Sequence, residues 1–322
     1  MKKTDKILIA GSNGMVGSAI VRSLKSAGYD NLVYGSREWV DFTKSYETKR
    51  FFIKTVPDYI FLTAARCGGI FDNINYPVNY LLDNLKIQNN IIESAYEFDV
   101  KKLMFFASSC IFPKHSNQPI KEEYLLTGSL EPTNEPYSIA KIAGIKLCEA
   151  YNKQYETNFI SVNPCNIYGV GDKFDPMRGH VMSSLIYKIW KAKKDGRRVV
   201  ECFGDGSPMR EFMYVDDLAD ACIHVMNNYE SKELINIGTG VDITIRELAQ
   251  TICEVIDYRG DLVWDISKPK TFIPRLERKG RRNVSKAKRA KQVIKSLNSK
   301  PVIKNVDVEA IKKEFGKKPA KK

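Results

Sequence analysis

The stretch ILIAGSNGMVGSAIV, residues 7 to 21, carries the pattern that decides the fold. Its first four residues are apolar and typical of a buried strand, and from Met15 the apolar spacing becomes helical. Three glycines at G-x-x-G-x-x-G spacing lie between strand and helix, where they let the backbone approach a pyrophosphate at the helix N-terminus. The stretch therefore predicts a dinucleotide-binding βα unit. The residues expected to contact the cofactor are Gly11, Ser12, Asn13, Gly14, Met15, Val16 and Gly17.

Strand-like and helix-like segments alternate beyond this unit. Further strands are predicted at 31–35, 58–64, 102–108 and 158–164, with helices at 79–98 and 137–155. Alternation of this kind favours a Rossmann-like, doubly wound parallel sheet of the α/β class. After Pro164 loops surround one helix, and residues 239–267 hold a helix and a strand. These pieces predict a smaller α/β substrate lobe over the carboxyl edge of the sheet.

The domain division follows from this change in pattern. Residues 1–165 and about 211–238 are assigned to an NADP(H)-binding Rossmann domain. Residues of about 166–210 and 239–285 are assigned to the substrate lobe, and 286–322 to a basic C-terminal tail.

Charge is distributed unevenly along the 322 residues, whose formal net charge is +13. Residues 268–322 hold 20 Lys/Arg against 4 Asp/Glu, so the basic character belongs to the C-terminal end. A nucleic-acid-binding body is not indicated, and the sequence does not identify a partner for the tail.

Apolar runs are too short for a membrane span or a signal-peptide core. The seven cysteines contain no CxxC pair, and with three histidines they indicate neither a metal site nor a disulfide framework. We therefore expect a cytoplasmic protein with reduced thiols.

Cofactor choice depends on the end of the second strand, which reads YGSREW. Ser36 and Arg37 are suited to a 2′-phosphate, which favours NADP(H) over NAD. Glu38 would reverse this argument if the strand ended one position later. Asp41 is expected beside the adenine, with a helix N-cap as the simpler alternative.

The segment YSIAK places Tyr137 and Lys141 four residues apart at the start of a helix, so both side chains share one face. An ammonium group near a phenol favours the phenolate, and we therefore expect Lys141 to lower the pKa of Tyr137. Such a pair can deliver a proton to a carbonyl oxygen while it is reduced.

Together these segments resemble the extended short-chain dehydrogenase/reductase superfamily and, within it, the GDP-L-fucose synthase family. The resemblance covers roughly residues 5 to 268 and is carried by IAGSNGMVGSAIV, TAARCGGI, SSCIFPK, QPIKEEYLLTGSLEPTNEPYSIAKIAGIKLCEAYNKQY, REFMYVDDLADA and NIGTGVDITIRELAQTI. It implies NADPH-dependent inversion at C3 and C5 of GDP-4-keto-6-deoxy-D-mannose, followed by reduction at C4.

The resemblance assigns catalytic roles to five residues. Cys110 and His180 exchange protons on opposite faces of the sugar, since a thiol and an imidazole can both cycle protons near neutrality. Tyr137 donates the proton in the reduction, Lys141 orients the ribose, and Ser108 binds the keto oxygen, with Ser109 as a rival. The resemblance also places Pro164, Asn166, Ile167 and His180 beside the cofactor.

Substrate contacts follow from the same resemblance. Arg210 and Lys188 are expected to bind the diphosphate, and Phe203 stands where the family often has tryptophan. Lys270 replaces the acidic substrate-binding residue of the family, and the chain after 286 departs from the family pattern. Both departures leave the identity of the sugar open.

Three functions remain as alternatives. The first is the epimerase-reductase, and the second is a 4-reductase or a relative acting on another GDP-4-keto sugar, for example a heptose. The third is a non-catalytic NADP-binding protein with a docking tail. A homodimer is expected through a four-helix bundle formed by residues 79–98 and 137–155 of each copy.

Overall fold

The computed structural model describes residues 1–176 and 179–267. Eleven strands lie within these ranges: β1 Ile7–Ala10, β2 Leu32–Gly35, β3 Tyr59–Leu62, β4 Lys102–Phe106, β5 Phe159–Pro164, β6 Asn166–Tyr168, β7 Val199–Phe203, β8 Met209–Tyr214, β9 Ile235–Ile237, β10 Asp242–Thr244 and β11 Asp261–Asp265. The α-helices are α1 Met15–Ser26, α2 Ser45–Thr55, α3 Ile70–Asn75, α4 Pro77–Glu97, α5 Glu135–Tyr155, α6 Val181–Lys194, α7 Val215–Asn228 and α8 Ile245–Ile256.

Six strands form the main sheet in the order β2-β1-β3-β4-β5-β9, and every pair is parallel. Strands such as Ile7–Ala10 are buried along their whole length because helices cover both faces of the sheet. The predicted Rossmann-like, doubly wound parallel sheet is confirmed. Because all six strands are parallel, their carboxyl ends lie along one edge, which positions the site described below.

A second hydrophobic cluster lies apart from the core of the main sheet. It contains residues of β6, β7, α6 and α8, with Ile189, Leu248 and Ile252 at most 1% exposed. Strands β10, β8 and β6 form a three-stranded sheet, and β11 pairs in parallel with β7. We call the elements around this cluster the small lobe. The sequence predicted one helix among loops in residues 166–210, and the structure adds the short strands β6 and β7.

Short connections join the small lobe to the main sheet. Cys165 alone separates β5 from β6, α7 begins directly after β8, and residues 238–241 connect β9 to β10. The predicted boundary at residue 210 falls inside β8, which pairs with β6 and β10. The two-domain division otherwise stays a prediction, since its last part and the tail lie outside the described residues.

No helix in the described part of the chain is long and apolar enough to cross a membrane.

Candidate active site

The glycine turn between β1 and α1 is closed by backbone contacts. Gly11 has a φ of +91°, and its N–H donates to the carbonyl oxygen of Gly35 at 2.6 Å. A Cβ on Gly11 would lie 2.7 Å from the backbone nitrogen of Ala64, and one on Gly17 would overlap the Gly11 carbonyl oxygen. Side chains are therefore excluded at positions 11 and 17, as a cofactor approaching the backbone requires. Asn13, Met15 and Val16 lie in the turn and in the first turn of α1.

Two buried hydroxyls beside this turn are suited to binding a phosphate or a ribose. The Oγ atoms of Ser12 and Ser36 are buried and have no hydrogen-bond partner within the described ranges. Buried hydroxyls are normally paired, so both atoms are available to a bound phosphate or ribose. Arg37 is exposed directly after β2, close enough to act electrostatically on Asp41. The residues present therefore fit a dinucleotide, and Arg37 is free to reach a 2′-phosphate.

Asp41 begins a turn instead of extending freely toward a ligand. Its Oδ1 accepts hydrogen bonds from the backbone N–H of Thr43 at 3.0 Å and from the Thr43 hydroxyl at 2.7 Å. This turn precedes α2, whose N-cap residue is Lys44 and has no capping side chain, so the N-cap alternative for Asp41 was wrong.

Tyr137 and Lys141 lie on one face of α5, as the sequence predicted. The Lys141 Nζ is 5.8 Å from the centre of the Tyr137 ring and donates to the carbonyl oxygen of Phe106 at 2.8 Å. Burial lowers the pKa of Lys141 to about 8. Burial also raises the pKa of Tyr137 well above its ordinary value, so the predicted lowering was wrong. The reason is that desolvation of the phenol, together with the thiols of Cys67 and Cys110, raises this pKa by more than the hydrogen bond with Ser108 lowers it.

Ser108 connects Tyr137 to the thiol of Cys110. The Ser108 hydroxyl hydrogen-bonds with the Tyr137 side chain and with that of Cys110. Cys110 is 5% exposed and lies in a 3-10 turn, Ser109–Ile111, directly after β4. Burial raises the pKa of its thiol, while Ser138, Ser108 and the charge of Lys141 act in the opposite direction. Four predicted residues, Ser108, Cys110, Tyr137 and Lys141, are thus brought together, whereas Ser109 is buried in the turn.

Two further groups surround this cluster, and the sequence assigned a chemical role to neither. The Tyr80 ring on α4 meets the Tyr137 ring edge to face, with 6.2 Å between the centroids. Cys67 is exposed, and its thiol acts electrostatically on both Tyr137 and Lys141. Neither residue carries a local sequence signal, since both reach the cluster through tertiary packing.

The loop that carries Cys67 is held by amide side chains. Asn84 accepts from the backbone N–H of Arg66 at 2.8 Å and donates to its carbonyl oxygen at 3.0 Å. Asn73 donates to the carbonyl oxygens of Gly68 and Gly69, both at 3.0 Å. These bonds fix both flanks of Cys67 against α3 and α4.

His180 is the N-cap residue of α6, in the loop between β6 and that helix. The residue is exposed, although nearby protein atoms desolvate its imidazole. This desolvation lowers the pKa of His180, and the carboxylate of Asp172 opposes the effect. The charges that act on His180 are those of Asp172 and Lys173, so the structure does not join it directly to the Tyr137 cluster.

The predicted substrate residues form two separate groups. On the small lobe, the Lys188 Nζ lies 4.0 Å from the centre of the Phe203 ring, a cation–π contact on a ring that is 40% exposed. Arg210, on β8, is buried, and burial lowers its pKa to about 10 while Glu131 opposes this. Lys270 lies outside the described residues.

The junction of β5 and β6 contains the other residues expected beside the cofactor. Pro164 ends β5, and Asn166 and Ile167 begin β6. The Asn166 amide donates to the carbonyl oxygen of Glu211 at 3.0 Å, which binds this junction to β8. The junction follows the carboxyl end of a central strand, the edge on which open α/β sheets bind ligands.

Comparison with known proteins adds independent observations. The NAD dependent epimerase/dehydratase family matches residues 7–238. Over 269 residues the chain is 49% identical to "Putative GDP-L-fucose synthase 2" of Arabidopsis thaliana, covering 84% of this chain and 82% of that protein. Over 273 residues it is 48% identical to GDP-L-fucose synthase of Escherichia coli (strain K12), covering 82% and 85%.

A solved structure shares the architecture. A GDP-D-glycero-L-gluco-heptose synthase from Campylobacter jejuni, crystallised in the presence of NADPH, superimposes with a TM-score of 0.82 at 31% identity. The match covers 92% of this chain and 98% of that one.

Proposed function

Because this chain belongs to the NAD dependent epimerase/dehydratase family and, within it, to the GDP-L-fucose synthases, we propose that it converts GDP-4-keto-6-deoxy-D-mannose to GDP-L-fucose. The chain is an NADP(H)-dependent epimerase-reductase. The observation that carries the proposal is the hydroxyl of Ser108, which joins Tyr137, a group suited to reduction, to Cys110, a group suited to epimerisation.

The cofactor would lie across the carboxyl edge of the main sheet. Gly11, Gly14 and Gly17 and the hydroxyl of Ser12 would hold the pyrophosphate, and Arg37 with Ser36 would hold a 2′-phosphate. Lys141 would bind the ribose, and the β5–β6 junction would flank the nicotinamide. When bound, NADPH supplies the hydride that reduces C4.

Epimerisation needs one group on each side of the sugar ring. The C4 keto group acidifies the protons on C3 and C5, so each inversion removes a proton from one face and returns one to the other. Cys110 and His180 would form this pair, because both change charge state within a few pH units of neutrality. Cys110 is held by the 3-10 turn, and His180 by the N-terminus of α6.

Reduction would use the same pocket. The half-buried Tyr137 retains its proton, since desolvation raises its pKa, and it is therefore an acid that could protonate the oxygen at C4. Ser108 would bind that oxygen beforehand. Lys141 would keep the phenol oriented through the ribose, with its ammonium fixed by the carbonyl oxygen of Phe106.

The GDP portion would lie against the small lobe. Lys188 and Phe203 together present a cation above an exposed ring, which suits a phosphate beside a purine. Arg210 supplies a second cation. Glu131 offsets its charge in the free protein and so allows a buried guanidinium without a bound anion.

A different GDP-4-keto sugar is the second candidate. The likeness to a heptose synthase in structure supports it, as does Lys270 in place of an acidic residue. Residues that contact the sugar ring, rather than the GDP portion, would then differ in function.

The proposed assembly is a homodimer through α4 and α5. Val78 and Leu82 on α4 and Ile139 on α5 are 68%, 44% and 44% exposed. Apolar side chains on a pair of packed helices suit a four-helix bundle with a second copy. Leu82→Glu should then yield monomers in sedimentation velocity runs, whereas Ile53→Glu on α2 should not. A cytoplasmic location is proposed with it, since the cysteines are free thiols.

One assay tests the function. The protein is mixed with GDP-4-keto-6-deoxy-D-mannose and NADPH in D2O, absorbance is followed at the cofactor band, and the product is examined by proton NMR. Cofactor oxidation with deuterium at C3 and C5 is expected. Oxidation of NADPH without deuterium in the product would show that the enzyme is a 4-reductase only. If NADPH is not oxidised, heptose substrates should be tested next.

A further inference from the structure

Ser138 follows Tyr137 in α5 and is fully buried. Its hydroxyl donates to the carbonyl oxygen of Asn134 one turn earlier, at 3.1 Å. The same hydroxyl hydrogen-bonds with the side chain of Cys110, against whose 3-10 turn α5 packs. A serine in a helix can bond to its own backbone alone, so the second partner is what sets Ser138 apart.

The hydrogen count of this arrangement decides what it can do. A serine hydroxyl has one hydrogen and two lone pairs. While that hydrogen is directed to Asn134, Ser138 offers a lone pair to the protonated thiol of Cys110. Once the thiol loses its proton, the hydroxyl can rotate and donate to the sulfur, because Sγ is then the stronger acceptor.

Ser108 and Ser138 therefore contact the sulfur together. Ser108 continues to Tyr137, so the side chains form one hydrogen-bonded series that runs Tyr137, Ser108, Cys110, Ser138 and ends at the carbonyl oxygen of Asn134. In this series Ser108 is shared with the reducing group. Ser138 acts on the sulfur and is not among the groups that act on Tyr137, so within this series it serves the thiol alone.

A thiolate must form in every inversion. If Cys110 removes the proton, the thiolate is the starting state, and if Cys110 returns the proton, the thiolate is what remains. In both directions one end state carries a negative charge on a side chain that is 5% exposed, where water is a poor source of hydrogen bonds. A buried donor that appears only with the charge is the type of group that speeds such a step.

We propose that Ser138 is a positioning residue for epimerisation, which stabilises the Cys110 thiolate by turning its O–H from the Asn134 carbonyl oxygen to Sγ. The proposal rests on the proposed function, and it adds a residue that acts on inversion and not on reduction.

The test is Ser138→Ala in the full chain. Exchange of the C3 and C5 protons is followed by NMR in D2O with NADP+ in place of NADPH, so that no reduction occurs. Rates are expressed per cofactor-binding site, counted by titration of NADPH fluorescence, so that any loss of folded protein cancels. We expect exchange to slow by about tenfold or more, from the loss of a hydrogen bond to a charged group. The alkaline pH at which exchange becomes maximal should rise.

Two variants serve as controls. Ser161→Ala removes the hydroxyl of a second buried serine that hydrogen-bonds with a thiol, that of Cys148 in the core, and it should leave both readouts unchanged. Ser138→Thr keeps a hydroxyl and should restore most of the exchange rate.

The outcomes separate the two levels of inference. If the wild type exchanges these protons and Ser138→Ala does so at the same rate and with the same pH profile, the role of Ser138 is overturned. The proposed function would still stand. Absence of exchange in the wild type, with cofactor oxidation intact, would overturn epimerisation itself and the proposal with it. Slower exchange in Ser138→Ala with an unchanged pH profile, and no recovery of the rate in Ser138→Thr, would make Ser138 a packing residue. That result would also overturn the proposal.

Discussion

The ammonium group of Lys141 donates a 2.8 Å hydrogen bond to the carbonyl oxygen of Phe106, the last residue of the strand that leads to Ser108 and Cys110. This bond joins the helix that carries Tyr137 to the strand that leads to Cys110. One buried cation therefore holds together the two parts of the cluster.

The charge on Lys141 should set an alkaline limit to activity. Its pKa is lowered by burial to about 8, so the charged form is lost as the pH rises through this value. We expect kcat/KM for NADPH to fall by about tenfold per pH unit well above pH 8. Initial rates from pH 6.5 to 9.5 test this. Lys141→Met should be slow and lack this limb, and a flat wild-type profile across the range would contradict the argument.

Tyr137→Phe should separate reduction from inversion. The variant keeps the ring that meets Tyr80 but removes the proton donor, so we expect cofactor oxidation to slow by about 10²–10⁴-fold. Exchange of deuterium into C3 and C5 should continue, because Cys110 keeps its contact with Ser138. Both rates are measured on one preparation, and equal losses in the two would count against distinct roles.

Cys110→Ser should have the reverse effect on the two steps. A hydroxyl at this position titrates far above the thiol, so exchange at C3 and C5 should fall by at least about 10²-fold. Cys148→Ser is the matched control, since Cys148 is 1% exposed and hydrogen-bonds with Ser161 in the core. Exchange should survive there. Comparable exchange in the two variants would remove Cys110 from the chemistry.

Gly17→Ala should weaken cofactor binding at the glycine turn. Its Cβ would overlap the carbonyl oxygen of Gly11, a backbone atom that cannot move aside cheaply, whereas a Cβ on Gly14 would lie 3.3 Å from the same oxygen. We expect NADPH affinity, measured by fluorescence titration, to drop by at least about tenfold in Gly17→Ala. Gly14→Ala should lose less. The opposite ranking would show that the turn is not held by this contact.

Asp217→Asn should stabilise the protein near neutral pH. Burial, then the like charges of Asp220 and Asp216, raise the pKa of Asp217 to about 6. A folded state that holds the proton more tightly than the unfolded chain loses stability as the pH rises from about 4 to 6. We expect the free energy of unfolding of the variant to exceed that of the wild type by about 2 kcal/mol at pH 7.5, and by about half of that at pH 5.

Urea unfolding at the two pH values measures this gain. Asp216→Asn is the control, because that residue forms an ion pair with Arg22 and its loss should bring no gain. A larger gain at pH 5 than at pH 7.5 would reverse the sign of the argument.

The sequence predicted what depends on local pattern. The strand, glycine turn and helix at residues 7–26 are contiguous, and their apolar period and glycine spacing are visible without tertiary information. Tyr137 and Lys141 were found for the same reason, since i,i+4 spacing on a helix defines a shared face. Cys110 and Arg210 were found through family resemblance alone, because neither has a distinctive local pattern.

What the sequence could not predict depends on contacts between distant segments. Strand β6 has three residues, too few for a period, and exists because β8 pairs with it. Ser138 could not be distinguished from an ordinary helical serine until Cys110 was seen beside it. The pKa of Tyr137 is raised, whereas the sequence predicted that it is lowered. The prediction used only the spacing of Tyr137 and Lys141, but the shift depends on burial of the phenol, which the whole fold determines.

Within residues 1–176 and 179–267, three short connections join the main sheet to the small lobe. Cys165 alone lies between β5 and β6, nothing lies between β8 and α7, and residues 238–241 are the longest of the three, so none of them is long enough to act as a wide hinge. Links of this kind favour a small shear of packed elements over a wide hinge motion. Such an enzyme would accept its nucleotide with little reorganisation, and substitutions across this seam would alter turnover through geometry rather than through affinity.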